Sequence, residues 1–71
     1  MEKEFILGKV AENIRIERLR KRFSQEKLAL AAGITQKYLN MIEKSTVNPS
    51  IVIVINICAA LNIDLNKIWQ P

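Results

Sequence analysis

Residues 25–44 read QEKLALAAGITQKYLNMIEK, two short amphipathic segments that meet at Gly33. Two helices joined by a turn of only about three or four residues cross at roughly 90–120°, and the crossing constrains each position near it. Ala29 suits the point where the second helix approaches the first, because a larger side chain would push the backbones apart. Gly33 stands where the chain leaves the first helix through positive φ, which costs glycine nothing and most other residues about 1 kcal/mol. Leu28, Ala32, Ile34, Leu39 and Ile42 recur at the spacings that put them on the facing sides of the pair. Ser24 and Thr35 precede the two helices, and each can cap one through its hydroxyl oxygen. The expected motif is helix, tight turn, helix.

Outward from this motif the pattern continues. Upstream stand Ile14-Arg15 with Arg18, then Phe23-Ser24-Gln25; downstream come Ile42-Glu43, Asn48-Pro49-Ser50, Ala60-Leu61-Asn62-Ile63, Leu65 and Ile68. On these residues the chain resembles the Xre/Cro and lambda-repressor-like helix-turn-helix family of bacterial and phage DNA-binding proteins, over roughly residues 7–69. The resemblance implies a compact all-α, five-helix lambda-repressor-like domain, with the helix-turn-helix at helices 2 and 3. Two positions depart from it. Family members usually carry glycine before the hydrophobic residue that precedes the second helix, and again just after the recognition helix; here Arg22 and Ser45 stand there. If either backbone needs positive φ, that position carries some strain, or the loop takes another path.

Residues 1–5 read as a short charged N-terminal arm and residues 6–71 as one helix-turn-helix domain. Helix one is expected over about residues 6–21, with Leu7, Val10, Ile14 and Phe23 in the core. Residues 45–48 form a loop, Pro49 suits the first turn of the next helix, and Asp64 can cap a last short helix reaching Trp69. The segment IVIVINI at 51–57 is dense in β-branched residues and by local propensity is a strand. Its continuation through Cys58-Ala59-Ala60-Leu61 is too long for an average strand, and the resemblance implies a helix there. The expectation is therefore a helix, with Ile51, Val54, Ile55, Cys58 and Leu61 inward and Val52 and Ile53 outward. The outward pair is either ordinary exposure or part of a subunit interface extending onto helix four.

At 71 residues the chain makes one small domain whose core supplies only a few kcal/mol net. A single cysteine excludes an internal disulfide framework, and the absence of histidine removes the usual metal ligand and general base. No nucleophile-base or metal constellation can be assembled, so neither an enzyme nor a cofactor is expected. Cys58, on the apolar face of helix four, reads as a small buried hydrophobe before a redox switch. The start, MEKEFILGKV, lacks the basic region and apolar run of a signal peptide, and nothing approaches the ~20 apolar residues of a membrane span. A cytoplasmic protein without a membrane partner is expected.

The net charge is +4, from 11 basic and 7 acidic residues. Arg15, Arg18, Arg20, Lys21, Arg22 and Lys27 crowd into one region, followed by Lys37 and Lys44. Taken alone, such a run is a solvated helix face. Beside a helix-turn-helix it would neutralise phosphates and release their counterions.

Within the recognition helix, Gln36 and Lys37 lie at the N-terminal end, the part that enters the major groove. Glutamine can pair bidentately with adenine N6/N7, and lysine can reach guanine O6/N7. The resemblance places Met41 at a further base-facing position, against a thymine methyl, and Asn40 is a candidate for a base or a phosphate. Phosphate contacts are expected from Ser24, Gln25, Thr35, Tyr38, Lys44 and Asn48. The resemblance also implies an ion pair between Glu43 and Arg18, tying helix one to the recognition helix; an exposed pair would contribute about 0–1 kcal/mol. One recognition helix reads few base pairs, so a homodimer on a palindromic operator is expected, with half-sites about 34 Å apart. Its interface is expected at Leu65, Ile68 and Trp69, against the competing reading of Trp69 as a lid on the monomer core. The implied function is a sequence-specific, double-stranded-DNA-binding transcriptional regulator: a phage-type repressor, a restriction-modification controller or similar. RNA polymerase is a further partner where regulation works by contact. The alternative is a protein-interaction module or antitoxin on the same scaffold, using the Val52/Ile53 face.

Overall fold

The computed structural model describes residues 3–69, the last of them for its backbone alone. Its elements are α1 (Lys3–Arg20), α2 (Gln25–Ala32), α3 (Gln36–Glu43), α4 (Ile51–Leu61) and a 3-10 helix (Leu65–Trp69). There are thus four α-helices and no strand among the described residues, and the expected fifth helix is a single 3-10 segment. Asp64 does cap it, its Oδ1 accepting the Asn66 N–H at 3.0 Å. Helix α1 begins at Lys3, earlier than expected, so residues 3–5 belong to it; residues 1 and 2 lie outside the described part.

One device stops all four α-helices. Arg22, Gly33, Ser45 and Asn62 follow their ends in the left-handed region, at φ 59°, 75°, 60° and 56°. In each case the next residue's N–H bonds to the carbonyl five positions back: Phe23 to Arg18, Ile34 to Ala29, Thr46 to Met41 and Ile63 to Cys58, all at 3.0 Å. These reversals satisfy carbonyls that a helix end otherwise leaves orphaned. Phe23, Ile34 and Ile63 then fold back to pack against the core. The starts are equally regular, with Ser24, Thr35 and Ser50 each accepting a backbone N–H three residues on. Ser50, and not Pro49, opens α4; Pro49 lies one residue outside the cap.

The core joins Val10 and Ile14 of α1, Leu28, Ala29 and Ala32 of α2, Leu39 and Ile42 of α3, Val54, Ile57, Cys58 and Leu61 of α4, and Ile68. Helix α2 packs chiefly on α4, while α1 holds α3 and the 3-10 helix. The strand-like segment is helical, but its inward face is turned from the expected one. Ile57 is fully buried, whereas Ile51 and Ile55 are 52% and 46% exposed beside Val52 at 61%. Ile53, expected outward, packs partly against the core. Val54, Cys58 and Leu61 belong to both stripes, and residues 51–55 are apolar without a break, so no polar residue marks where the buried face ends. Leu7 and Phe23 are half-buried.

Ile68 is completely buried within the monomer, and its carbonyl accepts a hydrogen bond from Asn13 Nδ2 at 2.6 Å. It contributes to the core and has no surface left for a second subunit. Leu65 is half-buried against that core, and the side chain of Trp69 lies outside the described residues. Cys58 is a buried free thiol; burial, with a smaller contribution from the Asp64 carboxylate, raises its pKa above the ordinary value and keeps it protonated. No helix among the described residues is long and apolar enough to cross a membrane.

Candidate nucleic-acid interface

The outward side of α3 carries Gln36, Lys37, Asn40, Met41 and Lys44, because Leu39 and Ile42 turn the opposite side into the core. Gln36, Lys37 and Lys44 are exposed, whereas Asn40 and Met41 are half-buried. The i, i+4 spacing brings Gln36, Asn40 and Lys44 into one row and Lys37 and Met41 into the next. Helix α3 and its cap residue Lys44 thus present one continuous outward face, polar except for Met41, that carries all four expected base contacts.

The hydroxyls of Ser24 and Thr35 use one lone pair each on the Lys27 and Tyr38 N–H groups at 3.0 Å. Their protons stay available to an outside acceptor such as a phosphate oxygen. Tyr38 is half-buried with its ring against the core. Asn48 sits apart from the others, on the rim of an apolar pocket between α1 and α4. Lys27 stands over the Phe23 ring, 4.6 Å from its centroid, which steadies one charge of the basic region beside the α2 N-terminus. Arg20 is drawn off that region by Glu17, at 3.1 Å. Glu17, at 6% exposure, is a buried carboxylate that sequence reasoning missed; its spacing from Val10 and Ile14, seven and three residues on, puts it on the inward stripe of α1 and was the signal for it.

The Arg18–Glu43 pair is present and buried. Arg18 Nε reaches Glu43 Oε2 at 2.7 Å and Nη2 reaches Oε1 at 3.1 Å, while Nη1 donates to the Phe23 carbonyl at 2.9 Å. The side chains are 12% and 3% exposed, so this is a desolvated, bidentate pair and not a surface ornament. It fixes α3 to α1 and takes the one negative charge of α3 out of the outward face.

Sequence reasoning missed what Gln25 does. Its Nε2 donates to Glu43 Oε1 at 3.1 Å and to Asn40 Oδ1 at 3.2 Å. Gln25, expected on a phosphate through its position at the start of α2, has its side-chain donor engaged by α3. Its backbone N–H remains at the helix N-terminus, where an anion is favoured. The contacts span 15 and 18 residues, and no local pattern could have signalled them.

A family model described as helix-turn-helix, of the Xre/lambda-repressor-like type, matches residues 14–68. The chain belongs to this helix-turn-helix family. Members of the family are DNA-binding transcription regulators. Among solved structures, the family member is similar to the restriction-modification controller protein C.AhdI from Aeromonas hydrophila, at 31% identity and TM-score 0.84, covering 87% of this chain and 94% of that one. It is also similar to a hypothetical transcription factor, NHTF, from Neisseria, at 26% identity and TM-score 0.89 over 100% of this chain and 83% of that one. The clp gene regulator ClgR from Corynebacterium glutamicum shares the fold at 21% identity, TM-score 0.85, over 89% and 82%. No curated protein matches the chain.

Proposed function

We propose that this helix-turn-helix protein is a sequence-specific transcriptional regulator that binds a palindromic operator as a homodimer, acting as a repressor or a restriction-modification controller. The observation that carries this is the outward face of α3. Its polar side chains stand free of the core, both motif helices begin with capped N-termini, and a buried bidentate ion pair holds the whole face rigidly on α1. Gln36 and Lys37 read bases at the N-terminal end of α3, with Met41 beside them. Phosphates are held by Ser24, Thr35, Tyr38, Lys44 and Asn48, by the backbone N–H of Gln25, and by Lys21 and Arg22.

Two copies meet through α4 and not through Ile68, whose side chain is used up inside the monomer. Ile51, Val52 and Ile55 form an exposed apolar strip, and no charged residue occurs between Lys44 and Asp64. Two chains of net charge +4 can approach there with least repulsion. The strip borders an apolar pocket of about 160 Å³ lined by Ile6, Leu7 and Val10 of α1 and by Pro49 and Val54, which can receive a side chain from the other copy. The same strip favours a second reading, in which the scaffold binds a different protein through α4, as an antitoxin does.

The deciding experiment selects bound sites from a random duplex library at near-physiological salt, with wild type and the Gln36→Ala/Lys37→Ala variant in parallel. A symmetric site with half-sites about one helical turn apart, blurred in the variant, is the expected result. Salt-sensitive background binding without enrichment would overturn it.

A further inference from the structure

The side-chain relay Arg18, Glu43, Gln25, Asn40 fixes the orientation of an amide on the reading face. Arg18 holds both carboxylate oxygens of Glu43. Glu43 can only accept, so the group that Gln25 turns to it is the NH2 end; the opposite orientation would set carbonyl against carboxylate. The same Nε2 then faces Asn40, which must answer with its oxygen, since its own NH2 would meet Gln25 donor to donor. No buried side-chain nitrogen or oxygen among the described residues lacks a partner. Asn40 Nδ2 has no hydrogen bond to the protein, so it reaches solvent on the face that carries Gln36 and Met41. We infer that Asn40 is a specificity-determining residue that addresses its base as a donor alone, with Gln25 as the positioning residue that denies it the bidentate pair with adenine.

An unconstrained asparagine pairs with adenine bidentately, giving its NH2 to N7 and accepting from N6. Here the oxygen faces α2, and only the NH2 points outward. A lone donor is matched best by edges whose acceptors have no donor beside them, guanine N7/O6 and thymine O4, whereas at adenine it reaches N7 but leaves the N6 amino group without a partner. This assignment rests on the operator-binding reading above and predicts one feature of the site.

The test is the same library selection with Asn40→Asp and Gln25→Met added, and melting curves confirm that each variant folds cooperatively. In Asn40→Asp the new carboxylate still accepts from Gln25 but turns an acceptor to the groove, so at one base of each half-site the preference should move from guanine or thymine to cytosine or adenine. Gln25→Met frees the amide of Asn40, and adenine should become acceptable at that base. Each change should be roughly tenfold in relative affinity at that position, with the rest of the site unaltered. If wild type enriches a site in which no position responds to Asn40→Asp, or in which the responding base is already adenine, the donor-only assignment is wrong although the regulator reading stands. A wild type that enriches nothing removes both. Should Gln25→Met fail to fold, the Asn40→Asp result alone decides.

Discussion

Arg18 shows how much a single side chain can hold when its partners are buried. It ties α1 to α3 through Glu43 and closes the α1–α2 turn through the Phe23 carbonyl. Removing one partner of a desolvated pair costs about 3–5 kcal/mol, most of the stability of a domain of this size. Arg18→Ala should therefore unfold at much lower urea, whereas Arg18→Met with Glu43→Leu, which leaves no stranded charge, should recover most of the loss. A single variant with an unchanged urea midpoint would contradict this. The pair itself was legible through the resemblance, because both residues stand where the family has them. Its burial was not, since residue type and spacing carry no solvent accessibility, and the value for an exposed pair is too small. The engagement of Gln25 with Asn40 and Glu43 was beyond reach for another reason: it exists only once α2 and α3 are placed in three dimensions.

At the level of the elements, local chemistry did most of the specifying. Ser24, Thr35 and Gly33 do what their types suggest: the two motif helices begin after the first two, and α2 ends at the third. The departures at Arg22 and Ser45 were visible as missing glycines, and the backbone keeps the left-handed conformation regardless. Non-glycine residues there cost about 1 kcal/mol or more, part of which glycine returns through its freer unfolded chain. Arg22→Gly and Ser45→Gly should each raise stability by up to about 1 kcal/mol, seen as a melting temperature several degrees higher. The two should differ on DNA: Arg22→Gly removes a charge beside the α2 N-terminus and lowers the steepness of the salt dependence by about one unit, while Ser45→Gly leaves it unchanged. Helix α4 marks where local chemistry fails. Its β-branched run is helical because Ser50 caps it and because α1 and α2 offer it a face to cover. Which of its isoleucines fill that face depends on the rotation of α4 about its own axis, set by Ile57 locking into the core, and an unbroken apolar run conceals it.

Across the whole molecule, charge and greasiness are segregated along the chain. Basic residues gather from Arg15 to Lys44, and the following stretch to Asp64 has no charge at all. This is what makes α4 the proposed seat of self-association. Val52→Glu or Ile55→Glu, each at an exposed site and so harmless to the core, should sediment as a monomer at concentrations where wild type is a dimer, and should lose operator affinity in proportion. A monomeric wild type would transfer the α4 strip to a foreign partner.

The uncharged stretch from Ser45 to Ile63 has one more consequence. Rising ionic strength competes with the grip on phosphates, whereas at the proposed α4 interface this stretch offers it no charge to screen, and it strengthens apolar contact if anything. Concentrated salt should strip the protein from its site as intact pairs, ready to rebind on dilution without having to find one another again.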